Sequence, residues 1–113
     1  MKGPFSLTRR LVLEEVTRQP DLAGGWVEAW TPLGVVWADI RSGAGRERRD
    51  EAVAVSSVAY RVIVRAAPVG SPSRPRAGQR FVEGTRVFAI RAVSEAGSAG
   101  LYLECVTVEE VLA

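Results

Sequence analysis

The chain has 113 residues, enough for one domain with a modest hydrophobic core and too few for two. Fifteen basic residues against 13 acidic ones leave a net charge of +2, which excludes a histone-like polycation despite a sequence pI near 9.2. One cysteine and no histidine exclude an intramolecular disulfide and a Cys/His zinc cluster.

Fourteen of the basic residues are arginine, and Lys2 is the one lysine. A GC-rich genome accounts for that bias, so the arginines argue for carboxylate or phosphate contacts only through where they fall. No apolar run approaches the roughly 20 residues of a membrane helix. Met1–Phe5 lacks the apolar region of a signal peptide, so the protein is expected to be intracellular when made.

Leu7, Arg9, Leu11, Leu13 and Glu15 alternate with Thr8, Arg10, Val12 and Glu14. Period two with one mostly apolar face predicts a strand over Leu7–Thr17, with a short helix as the competitor because Leu-Val-Leu-Glu-Glu also forms helix readily. Gln19-Pro20-Asp21 and Gly24-Gly25 mark a loop.

The stretch Trp26–Ile40 follows and holds all three tryptophans of the protein. Indole buries a large area, so Trp26, Trp30 and Trp37 are expected to form the core scaffold together with Tyr60 and Phe88. Pro32 and Gly34 are expected to interrupt this segment. Both faces of Val35–Ala38 are apolar, which predicts a strand covered on each side, with Asp39 closing one face and Arg41 the other.

Residues 42–57 form a long polar loop whose charged part, Arg46-Glu47-Arg48-Arg49-Asp50-Glu51, cannot enter a core. Within it Ala52–Val55 is apolar but small, and reads as a short helix or a strand entry. Val58, Tyr60, Val62 and Val64 alternate with Ala59, Arg61, Ile63 and Arg65, the best-defined strand, with Arg61 and Arg65 pointing outward.

Ala67–Gly78 is a linker rich in proline, glycine and serine that carries Arg74 and Arg76; its prolines exclude a central strand. Arg80–Val82 reads as a short strand and Glu83-Gly84 as a tight turn. Arg86–Val93 returns with Phe88 and Ile90 on one face and Val87, Ala89 and Val93 on the other. Glu95–Gly100 is a loop, Leu101–Val106 the last strand, and Glu109–Leu112 a frayed terminal turn. Cys105 alternates with Leu101 and Leu103 and reads as a small core residue. The whole is an all-β, mainly antiparallel fold: a small barrel or sandwich with a long charged loop and room for one short helix.

Catalytic chemistry is hard to build from these residues. The usual general base is missing, no Gly-x-Ser-x-Gly elbow or phosphate-cradling glycine motif occurs, and the pairs Glu14-Glu15 and Glu109-Glu110 put their carboxylates on opposite faces of a strand. No enzyme activity, cofactor or metal is expected. Binding of single-stranded nucleic acid by a small β-barrel is the competing reading, since aromatics and arginines are both present. The arginines are dispersed among acids, which argues for glancing phosphate contact.

The order of motifs carries further information. A Gly3-x-Phe5-x-Leu7-x-x-Arg10 opening leads to Gly24-Gly25-Trp26-x-Glu28-x-Trp30, then Val36-Trp37-Ala38-x-Ile40 and a Gly45-x-Glu47 loop. Tyr60-Arg61-Val62-x-Val64-Arg65, Arg86-Val87-Phe88-x-Ile90-x-x-Val93 and Leu101-x-Leu103-x-Cys105 complete it. This order resembles the head–tail joining (head closure, or stopper) proteins of tailed phages, prophages and gene transfer agents, from Gly3 to about Val106.

The resemblance implies a single head–tail connector domain over residues 1–113, with its core at about 5–106. Such a subunit forms a six- or twelve-fold homo-oligomeric ring in the neck of a virion or virus-like particle, after assembly in the bacterial cytoplasm. Its implied partners are further copies of itself, portal and adaptor proteins, tail terminator or tail-tube proteins, and packaged DNA through non-specific contact, with no membrane. By position, Arg46, Glu47, Arg48, Arg49, Asp50 and Glu51 are the expected lumen or inter-subunit loop, and Arg74 and Arg76 the expected interface linker.

Overall fold

The computed structural model describes residues 4–43 and 57–110. Among these residues there is no helix; the chain forms β1 (Arg9–Pro20), β2 (Trp26–Ser42), β3 (Ser57–Arg65), β4 (Arg80–Glu83), β5 (Arg86–Ala96) and β6 (Tyr102–Glu110). All pairings are antiparallel, and the order β1-β2-β3-β6-β5-β4 closes on itself as a barrel. The expected all-β architecture therefore holds, as a barrel and not a sandwich. The Ala52–Val55 segment, the alternative short helix, lies outside the described residues.

Alternation decides what fills the barrel. Leu11 and Leu13, Ala38, Val62 and Val64, Phe81, Phe88 and Ile90, and Leu103 and Cys105 form one buried cluster. Tyr60 reaches it edge-on, its ring 5.6 Å from that of Phe88. Phe88 is fully buried and Tyr60 partly so. Burial pushes the Cys105 thiol up to about 12, so this side chain behaves as a small apolar filler.

The tryptophans do not join this core. Trp26 is 66% exposed and Trp37 52% exposed, while Trp30 is half-buried. The cause is a bulge in β2: Leu13 pairs with Gly34 but Glu14 pairs with Pro32, leaving Leu33 unopposed. One extra residue flips the parity of everything beyond it. Even-numbered Trp26 and Trp30 and odd-numbered Trp37 therefore share the outer face, opposite Pro20, Val16 and Arg10 of β1. Six strands enclose less space than the eight that just accommodate packed side chains, and two phenylalanines already occupy it.

The same bulge corrects two further expectations. Val35–Ala38 is covered on one side only, with Val35 45% exposed. Pro32 and Gly34 do not interrupt the strand; β2 runs through both. Proline is tolerated there because β2 meets β3 only from Ala38 onward and has no strand on its other side at Pro32. A second bulge, between Ile90 and Ala92, turns Val93 inward against the core, away from the face of Val87 and Ala89. Asp39 and Arg41 share the outer face as an ion pair at 2.9 Å, not opposite faces.

Boundaries differ by a few residues. β1 is a strand over Arg9–Pro20, and β5 continues to Ala96. Glu109 and Glu110 belong to β6, where they pair with Val58 and Ser57, and do not fray. Gly84 takes φ +61° in the two-residue turn between Glu83 and Arg86, as a tight hairpin requires.

β1 and β2 pair far beyond the barrel. The last β1–β4 partner is Glu14, yet β1 and β2 stay paired to Pro20 and Trp26. Residues 15–31 are therefore a two-stranded arm that projects from one end, consistent with extents of 56 × 36 × 23 Å. At its tip the Asp21 carboxylate accepts the N–H groups of Ala23 and Gly25, 2.9 Å each, which closes the turn and lowers its pKa.

Candidate functional site

Two barrel ends and one outer face are the places where this chain can act. One end carries the starts of β1, β3 and β5 and the ends of β2, β4 and β6. Gly43 and Ser57, which flank the charged loop, sit there: the Gly43 N–H donates to the Ala59 carbonyl at 2.9 Å, and Ser57 pairs with Glu110. A Cβ on Gly43 would lie 2.7 Å from the Ala59 oxygen, so the exit of β2 requires glycine. Arg46, Glu47, Arg48, Arg49, Asp50 and Glu51 themselves lie outside the described residues.

The mouth at this end is closed by charge. Arg9, Glu83, Arg86 and Glu109 have inward parity, being two residues from Leu11, Phe81, Phe88 and Thr107. Arg9 meets Glu83 in a two-point contact at 2.7 and 2.8 Å, and Arg86 meets Glu109 at 2.8 and 3.1 Å. Glu83 and Arg86 join the two pairs at 3.7 Å. Arg86 also lies 5.0 Å from the Phe88 ring centroid and 5.7 Å from that of Tyr60, so it covers the aromatic floor.

Hydrogen bonds from Arg9 and Arg86 hold the Glu83 and Glu109 carboxyls below the usual carboxylate range. The reciprocal bonds raise both guanidiniums. Two positive and two negative groups leave this lid neutral. Sequence reading missed it, although the signal was present: charged residues at the in-facing positions of strand ends.

The outer face near this end is strapped by the N-terminal segment. The Ser6 N–H donates to Asp39 at 3.0 Å, Arg41 donates to the Pro4 carbonyl at 3.3 Å, and the Phe5 ring packs 5.0 Å from that of Tyr102. Ile63, which faces outward between Asp39 and Glu104, is consequently only 1% exposed. Burial pushes the Asp39 carboxyl up, but the Arg41 and Ser6 hydrogen bonds outweigh it and hold the group low.

At the opposite end the linker between β3 and β4 folds over the barrel, burying Pro75 and Gln79. The Gln79 carbonyl accepts the Ile90 N–H at 2.9 Å, the Gly78 N–H donates to the Ile90 carbonyl at 3.0 Å, and the Gln79 side-chain oxygen accepts the Arg76 N–H at 2.8 Å. Of the two linker arginines named from sequence, Arg74 donates to the Ala67 carbonyl at 2.8 Å. Arg76 is 71% exposed and 3.9 Å from Glu15. The structure thus brings Arg74 and Arg76 together at the root of the arm.

The arm supplies the apolar surface. Trp26, Trp30, Val35 and Trp37 lie along its outer face and onto the barrel, with Val16 opposite Trp30 and Val12 opposite Val35. Across the barrel the row continues Val35–Val12–Val82–Val87 over four strands. Arg80 sits 4.1 Å above the Trp30 ring and bonds Glu14 at 2.8 Å, which leaves Trp26 and Trp37 as the open indoles. Among the described residues no group of three or more His, Cys, Asp and Glu is placed to hold a metal ion.

Comparison with known proteins gives this arrangement a lineage. The chain superposes on a protein from the virion of a native gene transfer agent particle with a TM-score of 0.80 and 50% identity, covering 96% of this chain and 98% of that one. It also matches the solution structure of a Shigella flexneri 2a protein, with a TM-score of 0.66 and 19% identity over 96% of each chain, which shows a shared fold. No curated protein matches it. A family model described as phage head completion protein matches residues 3–110, so this chain belongs to the phage head completion protein family.

Proposed function

We propose that this chain is a structural component of a virion or virus-like particle. It forms a ring that closes the filled head, joins portal or adaptor to tail, and helps retain packaged DNA. The observation that carries this reading is the arm: a two-stranded projection with Trp26 open near its tip, in a member of the head completion family. An isolated two-stranded hairpin is marginal in water, and a long apolar edge is an aggregation hazard unless something covers it. Tryptophan is also the residue most enriched where binding energy concentrates.

Head-to-tail contacts that close by rotation produce such rings, so an arm at one end of the subunit suits a neighbouring copy or the next ring in the neck. The 50% identical relative comes from an assembled gene transfer agent virion, which supports the same setting here. Gly43 and Ser57, the described residues that flank the 42–57 loop, lie at the other end, and we assign the loop to a lumen, a neighbour or DNA. The role is structural and asks no catalysis of the chain.

The competing reading, stacking of single-stranded nucleic acid, is less well supported. Arg80 occupies the Trp30 face. Trp26 and Trp37 stand opposite Pro20 and Arg10, ten positions apart along β1, or roughly 33 Å at about 3.3 Å per residue, so neighbouring bases cannot stack on both.

Deleting the gene from its particle tests the proposal. Tailless heads that leak DNA are expected, and a Trp26→Ala, Trp37→Ala double variant should reproduce them in electron micrographs. Normal tailed particles after deletion would overturn it, as would tight, salt-sensitive oligonucleotide binding by the isolated chain that the double variant abolishes.

A further inference from the structure

A groove of about 390 Å³ runs between the root of the arm and the linker, with Glu15, Leu33, Val69, Arg74, Arg76 and Gln79 among its walls. Its volume falls in the range of sites that hold a small ligand or a few residues of peptide. Its polar groups are unevenly matched, and that mismatch identifies what it would take.

Hydrogen-bond donors are in surplus. Arg74 spends Nη1 on the Ala67 carbonyl, and its remaining guanidinium donors find no acceptor among the described residues. Arg76 approaches Glu15 only to 3.9 Å, too far for a hydrogen bond. Gln79 is 6% exposed, and while its oxygen accepts the Arg76 N–H, its side-chain nitrogen has no acceptor among the described residues. That nitrogen keeps contact with solvent, as do the spare Arg74 donors, so a bound acceptor would take the place of water there.

Charge then narrows the choice. Two guanidiniums face one carboxylate, an excess of a single positive charge. One further carboxylate neutralises the groove, whereas a run of phosphates would be repelled by Glu15. Leu33 and Val69 supply apolar wall on either side of the donors.

We propose that this groove is a docking site for an extended segment of a protein partner, one that presents a single carboxylate beside an aliphatic side chain. The carboxylate is held by Arg74, Arg76 and the Gln79 amide, and the aliphatic group lies against Leu33 and Val69. The site is independent of ring formation, and a small-molecule experiment separates the two.

The probe is isovalerate, which carries both groups, titrated into the ¹⁵N-labelled full chain, with isoamyl alcohol and inorganic phosphate as comparison ligands. Saturable shifts confined to Gly70, Ser71, Arg76 and the Gln79 side-chain amide are expected, at millimolar affinity, with no saturable response to the alcohol. Arg74→Gln should weaken binding about tenfold, the effect of losing one charge-assisted bond. Because Arg74 also fastens the linker, Arg76→Gln at its exposed position is the second variant, with binding weakened about threefold and an unchanged melting temperature. No saturable shift, shifts insensitive to both variants, or phosphate binding there as tightly as isovalerate would each overturn the proposal.

Discussion

The two ends of the barrel depart from the usual inside–outside rule in opposite senses. Beside Gly43 and Ser57, charges face inward, where Arg9, Glu83, Arg86 and Glu109 close the mouth. At the arm end a large ring faces outward, with Trp26 open to solvent. The inward charges pair with one another and balance to zero. Trp26 has no ring or guanidinium packed on it among the described residues, which is why the arm is proposed as the part that meets another chain. Exposed apolar surface is the informative departure, because buried charge here is already paired.

That contrast makes its largest prediction about aromatic truncation. Phe88→Ala empties the barrel centre and should cost about 3–5 kcal/mol in urea unfolding of the isolated chain. Trp26→Ala should change stability by no more than about 0.5 kcal/mol, because an exposed side chain has little to lose. Its effect belongs in assembly. Equal costs for the two would make the arm a structural element and erase the difference between the ends.

The lid is the next test. Glu109→Ala leaves Arg86 without its two-point partner and should destabilise the chain by about 1–3 kcal/mol. Glu83→Ala should cost somewhat less, since that carboxylate is more exposed, 25% against 15% for Glu109. The two changes share Arg86, so the double variant should fall short of their sum. Strict additivity in thermal melts would mean two separate pairs and no closed lid.

The same carboxylates set a pH dependence with a defined sign. Arg9 lowers Glu83 and Arg86 lowers Glu109, so the folded state binds their protons less readily than the unfolded chain does. Their stabilisation is fully present above the unfolded carboxylate value of about 4.3 and is lost as pH falls through the lowered folded values. Melting temperature should therefore drop below about pH 4. In a Glu83→Gln, Glu109→Gln double variant that slope should flatten, whereas an unchanged slope would assign acid sensitivity to Asp39 and Asp21 instead.

Strand periodicity made most of the fold legible, because period-two alternation survives in β1, β3 and β6 without help from elsewhere. It misled where a single inserted residue reversed the parity. In β2 the bulge at Leu33 follows from pairing with β1, a non-local fact that no local window of Trp26–Ile40 contains. Composition reinforced the error, since indole normally signals a core. The lid was hidden for a related reason: Arg9 and Glu83 are 74 residues apart, and closing the barrel is what brings them together. Arg74 and Arg76 were visible as a basic pair in a linker, but the groove beside them depends on Glu15 and Leu33 of the arm.

The finest test lies where the two ends' chemistries meet, at Trp30. Unlike Trp26 and Trp37, this indole has Arg80 stacked on it, and Arg80 is itself held by Glu14 at 2.8 Å. If a guanidinium cover is what separates a structural tryptophan from an open one, Arg80→Ala should convert the first kind into the second. The expected cost is about 1 kcal/mol, the sum of a cation–π contact and a partly exposed ion pair. In a Trp26→Phe, Trp37→Phe background the remaining fluorescence should shift to the red as water reaches the ring. Arg80→Lys should retain most of the stability but less of the shielding, because a compact ammonium cannot lie flat on the indole. A fluorescence maximum unmoved by Arg80→Ala would show that Val16, opposite Trp30 on β1, buries the ring without the arginine.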